Sequence, residues 1–224
     1  MPKTFFVTAT DTDAGKTVLT TLLAAWLHQQ DVRVAALKPL CSGGRADAEA
    51  LQAALNGSRS LDEINPWHFR APIAPVLAAR REKISVTRRQ VLAFIRDRQK
   101  SADITLVEGA GGLRSPLGEK FDALDLIVAL NATPLIVAPN RLGVVNHLLL
   151  TLDALPARLR SRARVIFMAP EKPDAATPDN AALLAEFFPV QQIVHLPWLG
   201  RKFSVSKVIR QAKVRKALAD LVAL

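Results

Sequence analysis

The stretch Thr4-Phe5-Phe6-Val7-Thr8-Ala9-Thr10-Asp11-Thr12-Asp13-Ala14-Gly15-Lys16-Thr17 decides the fold. An apolar, β-rich run gives way to small polar residues, then to Gly-Lys-Thr at the opening of a helical pattern. Strand, loop and helix in that order are the setting a phosphate-binding loop requires. Backbone N–H groups at a helix start converge on phosphate oxygens, and the helix dipole adds positive potential. In that geometry Lys16 reaches the β- and γ-phosphates and the Thr17 hydroxyl is a Mg²⁺ ligand. The strict loop pattern asks for glycine at position 10, where this chain has Thr10.

The rest of the chain repeats the strand–helix alternation. Apolar runs at Thr4–Thr8, Arg33–Leu37, Ile104–Glu108, Leu135–Ala138, Arg164–Met168 and Gln192–Leu196 read as strands. They lack polar alternation, as strands covered by helices on both faces do. Helical patterns fall at Gly15–Gln29, Ala46–Leu55, Thr87–Arg98, Phe121–Leu130, Gly143–Leu155 and Pro178–Phe187. The expected fold is α/β, a single Rossmann-like domain with a mostly parallel sheet. Residues 1–200 form that domain, and residues 201–224 a basic C-terminal helix over about Val205–Val222. The proline-rich segment Asn65–Pro75 reads as a structured loop. No repeat, low-complexity tract or Gly/Ser-rich linker divides the chain.

Composition narrows the function classes. With 224 residues, half of them hydrophobic, and a mean hydropathy of +0.16, the chain can build a large core and is not disordered. Asp125, Asn131 and Pro134 interrupt the richest apolar stretch, so no membrane span is expected. The N-terminal apolar run is too short for a secretory signal, and a single cysteine, Cys41, excludes a disulfide framework or a cysteine-rich zinc site. The expected location is the cytoplasm. Net charge is +10, and from Arg201 onward seven basic residues face Asp220 alone. This tail is either a packed helix with a solvated basic back or a patch for a polyanion such as nucleic acid. No aromatic residue interleaves with its charges to stack on bases.

Two further motifs stand at strand ends, where open α/β sheets bind ligands. In Val107-Glu108-Gly109-Ala110-Gly111-Gly112 an acid terminates a buried strand beside glycines that admit a ligand to the backbone. Such a carboxylate suits Mg²⁺, which prefers hard oxygen ligands. In Lys38-Pro39-Leu40-Cys41-Ser42-Gly43, followed by Asp47, a second lysine can counter the charge of a transferring group, and Asp47 can join Glu108 at the metal. His28, His68, His147 and His195 show no ligand spacing, and Cys41 reads as a small loop filler. Asp122 and Asp125 read as a solvated helix face, and Arg158, Arg160, Arg162 and Arg164 as a surface connection.

Together the three motifs resemble the dethiobiotin synthetase family. Its phosphate loop, Gly-Thr-Asp-Thr-x-Val-Gly-Lys-Thr, is one residue longer than the strict pattern and accounts for Thr10. Its Lys-Pro-x-x-Ser-Gly matches Lys38 to Gly43, and its Val-Glu-Gly-Ala-Gly-Gly matches Val107 to Gly112. Ile64-Asn65-Pro66, Leu142 to His147 and Leu196-Pro197-Trp198-Leu199 are further echoes. The resemblance implies an ATP- and Mg²⁺-dependent ligase that closes a ureido ring on 7,8-diaminopelargonate with CO2. It implies catalysis by Lys16, Lys38, Thr12 and Ser42, and metal binding by Thr17, Asp47 and Glu108. Nucleotide contacts fall to Asp13, Ala14, Gly15, Lys16, Thr17, Val18, Glu108, Gly109, Gly111 and Pro197. Substrate contacts fall to Thr12, Lys38, Ser42 and Gly112 and, in a homodimer, to the partner's Gly143, Val144 and Asn146, whose helix start receives the tail carboxylate.

The chain departs from the family at Ala9 for the first loop glycine, Ala14 for valine, and Pro72-Ile73-Ala74-Pro75-Val76 for a Pro-x-Ser-Pro-His loop. Pro170 stands in the segment where the family offers an adenine-reading asparagine, and the chain has no tyrosine. Alternative readings are a nucleotide-gated switch ATPase that uses the basic tail on nucleic acid, and a homologue without turnover. The early loop lysine of the switch class is absent, with Asp11 and Asp13 in its place.

Overall fold

The computed structural model describes residues 3–222. Its centre is a six-stranded parallel sheet in the order β10-β9-β8-β1-β5-β2, from β1 (Lys3–Ala9), β2 (Val34–Leu37), β5 (Ile104–Glu108), β8 (Thr133–Pro139), β9 (Arg164–Met168) and β10 (Ile193–Leu196). All six coincide with the predicted strands to within two residues at each end. Alternate side chains of a strand point to opposite faces, and both faces are dry. Phe6, Val107, Ile136 and Phe167 enter one core; Phe5, Val7, Leu106, Val137 and Ile166 enter the other.

The second core is closed by α1 (Lys16–His28), α2 (Ala46–Ala54), Ile64 of α3 (Leu61–Ile64) and the C-terminal helices. The first is closed by α4 (Pro75–Arg81), α5 (Arg88–Gln99), α6 (Ala123–Leu130), α7 (Val144–Asp153), α8 (Ala157–Arg160) and α9 (Asn180–Ala185). Sequence signals stop and start several of these. Thr87 and Gln90 form a reciprocal capping box on α5, and Asn131 ends α6 in the left-handed region at φ 50°.

Six expectations need correction. The segment Asn65–Pro75 is more than a loop. It contains β4 (Trp67–Phe69), which pairs in parallel with β3 (Leu40–Ser42), and Pro75 opens α4 at a position where a missing N–H costs nothing. The helix placed at Phe121–Leu130 begins only at Ala123, because Phe121–Asp122 forms β7 against β6 (Pro116–Gly118). Asp122 and Asp125 are not a solvated face. Each accepts the other's backbone N–H at 3.0 Å as a helix cap, and Asp122 also pairs with Arg114 at 2.7 Å. The helix Pro178–Phe187 shortens to α9. Arg164 opens β9 rather than lying in a connection.

The sixth correction concerns the tail. Instead of one helix over Val205–Val222 there are two, α10 (Val205–Val208) and α11 (Ala212–Val222). Val208 and Ile209 are buried, and so are Val214, Ala217, Leu218 and Leu221. At 100° per residue a straight helix would place these two sets about 180° apart, so the break at residues 209–211 lets both face the same core. Lys207, Arg210, Lys213, Arg215 and Lys216 remain exposed on the back.

Candidate active site at the strand ends

Sheet register assembles the site. Leu37 is level with Val107 and Val7 with Glu108, so the chains leaving β1, β2 and β5 emerge side by side. The loop after β1 turns through Asp13 at φ 55° and Gly15 at φ 101° into α1. A Cβ on Gly15 would be strained at that φ and would stand 3.0 Å from Met168 Cε. Gly112 approaches the back of the loop, its Cβ position only 3.2 Å from the Ala9 carbonyl oxygen. Ala9 itself is fully buried in the core under the loop, so its methyl group is accommodated.

These elements border a cleft of about 790 Å³. Of the residues singled out in the sequence, Thr12, Asp13, Gly15, Lys16, Thr17, Val18, Lys38, Ser42, Asp47 and Gly111 line it. Glu108 and Gly109 lie beneath it, joined to Lys38. Ala14 is instead buried in the core. Pro197 follows β10 and does not line the cleft. Gly143, Val144 and Asn146 lie away from it at the start of α7, where Gly143 is left-handed at φ 86° and Val144 is buried.

Lysines and carboxylates converge on the floor. The Lys38 ammonium donates to Glu108 Oε1 at 2.7 Å and the Gly109 carbonyl at 2.9 Å, and pairs with Asp47 Oδ2 at 2.7 Å. Burial alone would lower the Lys38 pKa, but the Glu108 and Asp47 carboxylates outweigh it and hold the ammonium above its usual value. Burial opposes ionisation of Asp47, yet the Lys38 ammonium keeps its pKa low. Lys16 donates to the Asp11 carbonyl at 3.1 Å. Burial, then repulsion from Lys38, lowers its pKa. Two ammonium groups facing one cleft favour an anion between them.

Thr17 Oγ1 donates to Glu108 Oε1 at 2.7 Å, while the other carboxylate oxygen, Oε2, is buried with no partner among the described residues. A buried acceptor without a partner is costly, and a hard cation would satisfy it. Thr17, Asp47 and Glu108 therefore fit Mg²⁺, which takes one or two carboxylates and completes its shell with water and phosphate oxygens.

Sequence reading missed the supports of this floor. Asn65 is fully buried, and its amide donates to the carbonyls of Lys38 at 2.6 Å, Trp67 at 3.3 Å and Pro39 at 3.4 Å. It thereby fixes the turn from β2 into β3 that carries Lys38. Ser42 donates to the Ile73 carbonyl at 2.5 Å, tying the proline-rich segment to the rim. Its prolines were the available signal. Ser115 and Pro116 also line the cleft and carried no motif of their own. Beyond β9, Pro170 offers neither N–H nor amide, and Glu171 pairs with Arg201 at 2.9 Å.

The family profile described as an AAA domain matches residues 3–201. The chain is 35% identical to the ATP-dependent dethiobiotin synthetase of Ralstonia nicotianae over 211 residues, covering 90% of this chain and 92% of that one. Identity to the enzyme of the same name from Anaeromyxobacter is 38%, covering 85% and 89% of the two chains. Among solved structures, pNOB8 ParA bound to nonspecific DNA superposes with a TM-score of 0.61 at 12% identity, covering 99% of this chain and 98% of that one. The ParA family ATPase of Chlorobium tepidum gives 0.56 at 14%, covering 98% and 96%. At such identities these two likenesses concern the fold alone.

Proposed function

This chain belongs to the ATP-dependent dethiobiotin synthetase family, and on that premise we propose which residues of its cleft do the work. The activity is that of a ligase of biotin biosynthesis using ATP with Mg²⁺. One amine of 7,8-diaminopelargonate adds to CO2 and loses a proton, giving a carbamate. A carbamate oxygen takes the γ-phosphoryl group of ATP and ADP leaves. The second amine then attacks the carbamate carbon, phosphate departs, and the ureido ring closes.

In the proposed assignment Lys16 and Lys38 hold the anionic oxygens of the phosphoryl group and carbamate, and Thr12 and Ser42 hydrogen-bond the carbamate. The backbone N–H groups after Asp13 cradle the phosphates. Thr17, Asp47 and Glu108 would hold Mg²⁺, which when bound neutralises phosphate charge as that charge shifts toward the leaving group. Catalysis then rests on positioning and charge compensation. The observation carrying this assignment is the unpartnered Glu108 Oε2 beside Thr17 and Lys38.

We further assign a homodimer with the site at its interface. Two features of α7 support it. The space beside Gly143 is open, with nothing within 4 Å of a Cβ built there. The Val144 N–H donates to the Arg141 carbonyl, while those of Val145 and Asn146 have no backbone acceptor among the described residues and are available to an anion. Leu142, just before this helix, and Leu150 within it are 74% and 64% exposed, apolar surface that a partner would cover. No described helix is long and apolar enough to cross a membrane, and the proposed compartment is the cytoplasm. The deciding experiment incubates the protein with MgATP, bicarbonate and 7,8-diaminopelargonate. Dethiobiotin and ADP in equal amounts by mass spectrometry are expected; ADP without dethiobiotin would overturn the assignment.

A further inference from the structure

Ser115 lines the cleft together with Thr12, Lys16, Lys38 and Ser42, and neither motif nor family resemblance gives it a role. Its hydroxyl oxygen accepts the Gly112 N–H at 2.8 Å, while its own N–H donates to the Gly112 carbonyl at 3.2 Å. This tight turn folds the side chain back over Gly111, which is left-handed at φ 68°. The Ser115 and Thr12 hydroxyls both lie within 4 Å of the point where a Cβ on Gly111 would stand. The Ser115 side chain thus occupies the room a side chain at position 111 would need, with the Thr12 hydroxyl nearby.

The donor side of that hydroxyl is unused. A serine hydroxyl has one proton to give and two lone pairs to receive with. The Gly112 N–H occupies a lone pair, and no described group accepts the proton. The accepted N–H holds the oxygen in place at the cleft wall, and rotation about the Cβ–Oγ bond lets its proton turn to a ligand in the cleft. A donor held this way, facing a site with two ammonium groups, is matched to an oxygen of an anionic ligand.

We propose that Ser115 is a substrate-contacting residue that donates its hydroxyl proton to a carbamate oxygen, opposite Thr12. This inference rests on the assignment of the cleft given above. The test compares wild type, Ser115→Ala and Ser115→Thr in two measurements: the KM for 7,8-diaminopelargonate against the Kd for MgATP, and the carbamate signal from [13C]bicarbonate with the diamine and no nucleotide. Expected for Ser115→Ala is a rise in diamine KM of about tenfold or more and a weakened carbamate signal, with MgATP affinity unchanged. Ser115→Thr, which keeps the hydroxyl, should restore both. Wild-type behaviour of Ser115→Ala would overturn the proposal, and so would an equal loss of MgATP affinity, since that would make Ser115 a prop for the loop alone. A wild-type protein forming neither carbamate nor dethiobiotin would overturn the cleft assignment itself.

Discussion

Lys16 and Lys38 are the same residue type a few ångströms from the same carboxylates, yet their surroundings push them in opposite directions. Lys38 is engaged by Glu108, Asp47 and the Gly109 carbonyl, so it is anchored to the floor and, in the proposed assignment, exchanges one of these partners for a substrate oxygen. Among the described residues Lys16 has only the Asp11 carbonyl and is the ammonium ready to change partners when a polyphosphate arrives. Lys16→Ala should remove a charge-assisted bond worth about 1.5–3 kcal/mol, a loss of nucleotide affinity of roughly ten- to a hundredfold. Isothermal titration with MgATP measures it, and unaltered affinity would take the phosphate-loop role away from this residue. Lys38 and Glu108 were legible as strand-end residues beside proline and glycine, Lys16 and Thr17 as the Gly-Lys-Thr opening of α1, and Asp47 as an acid shortly after the Lys38 motif, in the first turn of α2. Asn65 entered only as part of a family echo, and Ser115 not at all. Asn65 works through a contact 27 residues away, which no local pattern records, and Ser115 through a turn onto Gly112 that carries no motif.

At the level of elements, all six sheet strands were readable, because burial on both faces leaves unbroken apolar runs. What escaped were the short pieces, β3, β4, β6 and β7, whose two or three residues carry no periodicity. The split between α10 and α11 escaped for a different reason: two apolar stripes of opposite phase look like one broad stripe until their angles are compared. Among the strands, β10 holds a titration of its own. His195 stacks on Phe167 of β9 with ring centroids 5.5 Å apart, and burial lowers its pKa. As pH falls from the usual histidine range, the unfolded chain takes up a proton before the folded one does, so stability falls with it. His195→Phe should keep the stack and flatten this slope. The drop in Tm between pH 7.5 and 5.5 should be smaller than in wild type; parallel curves would mean the imidazole titrates alike in both states.

For the molecule as a whole, the fold, the site and the surface answer to different constraints. The apolar residues of the C-terminal helices belong to the core against α1 and β10, and their basic residues stay exposed on the back. The exposed face of α7 is where a change should alter assembly without touching the fold. Leu150→Glu, at an exposed position, should leave protomer stability within about 0.5 kcal/mol, yield monomers in analytical ultracentrifugation, and raise the diamine KM while MgATP binding persists. A persistent dimer would move the interface elsewhere. The position of β1 between β5 and β8 also sets a schedule for synthesis. The phosphate loop leaves the ribosome within the first 17 residues, but the carboxylate it needs comes at residue 108 and the strand on its other flank ends at residue 139. At ordinary translation speeds that interval lasts on the order of ten seconds. A nascent chain therefore carries its most chemically committed segment unshaped until the strands that flank it have been made.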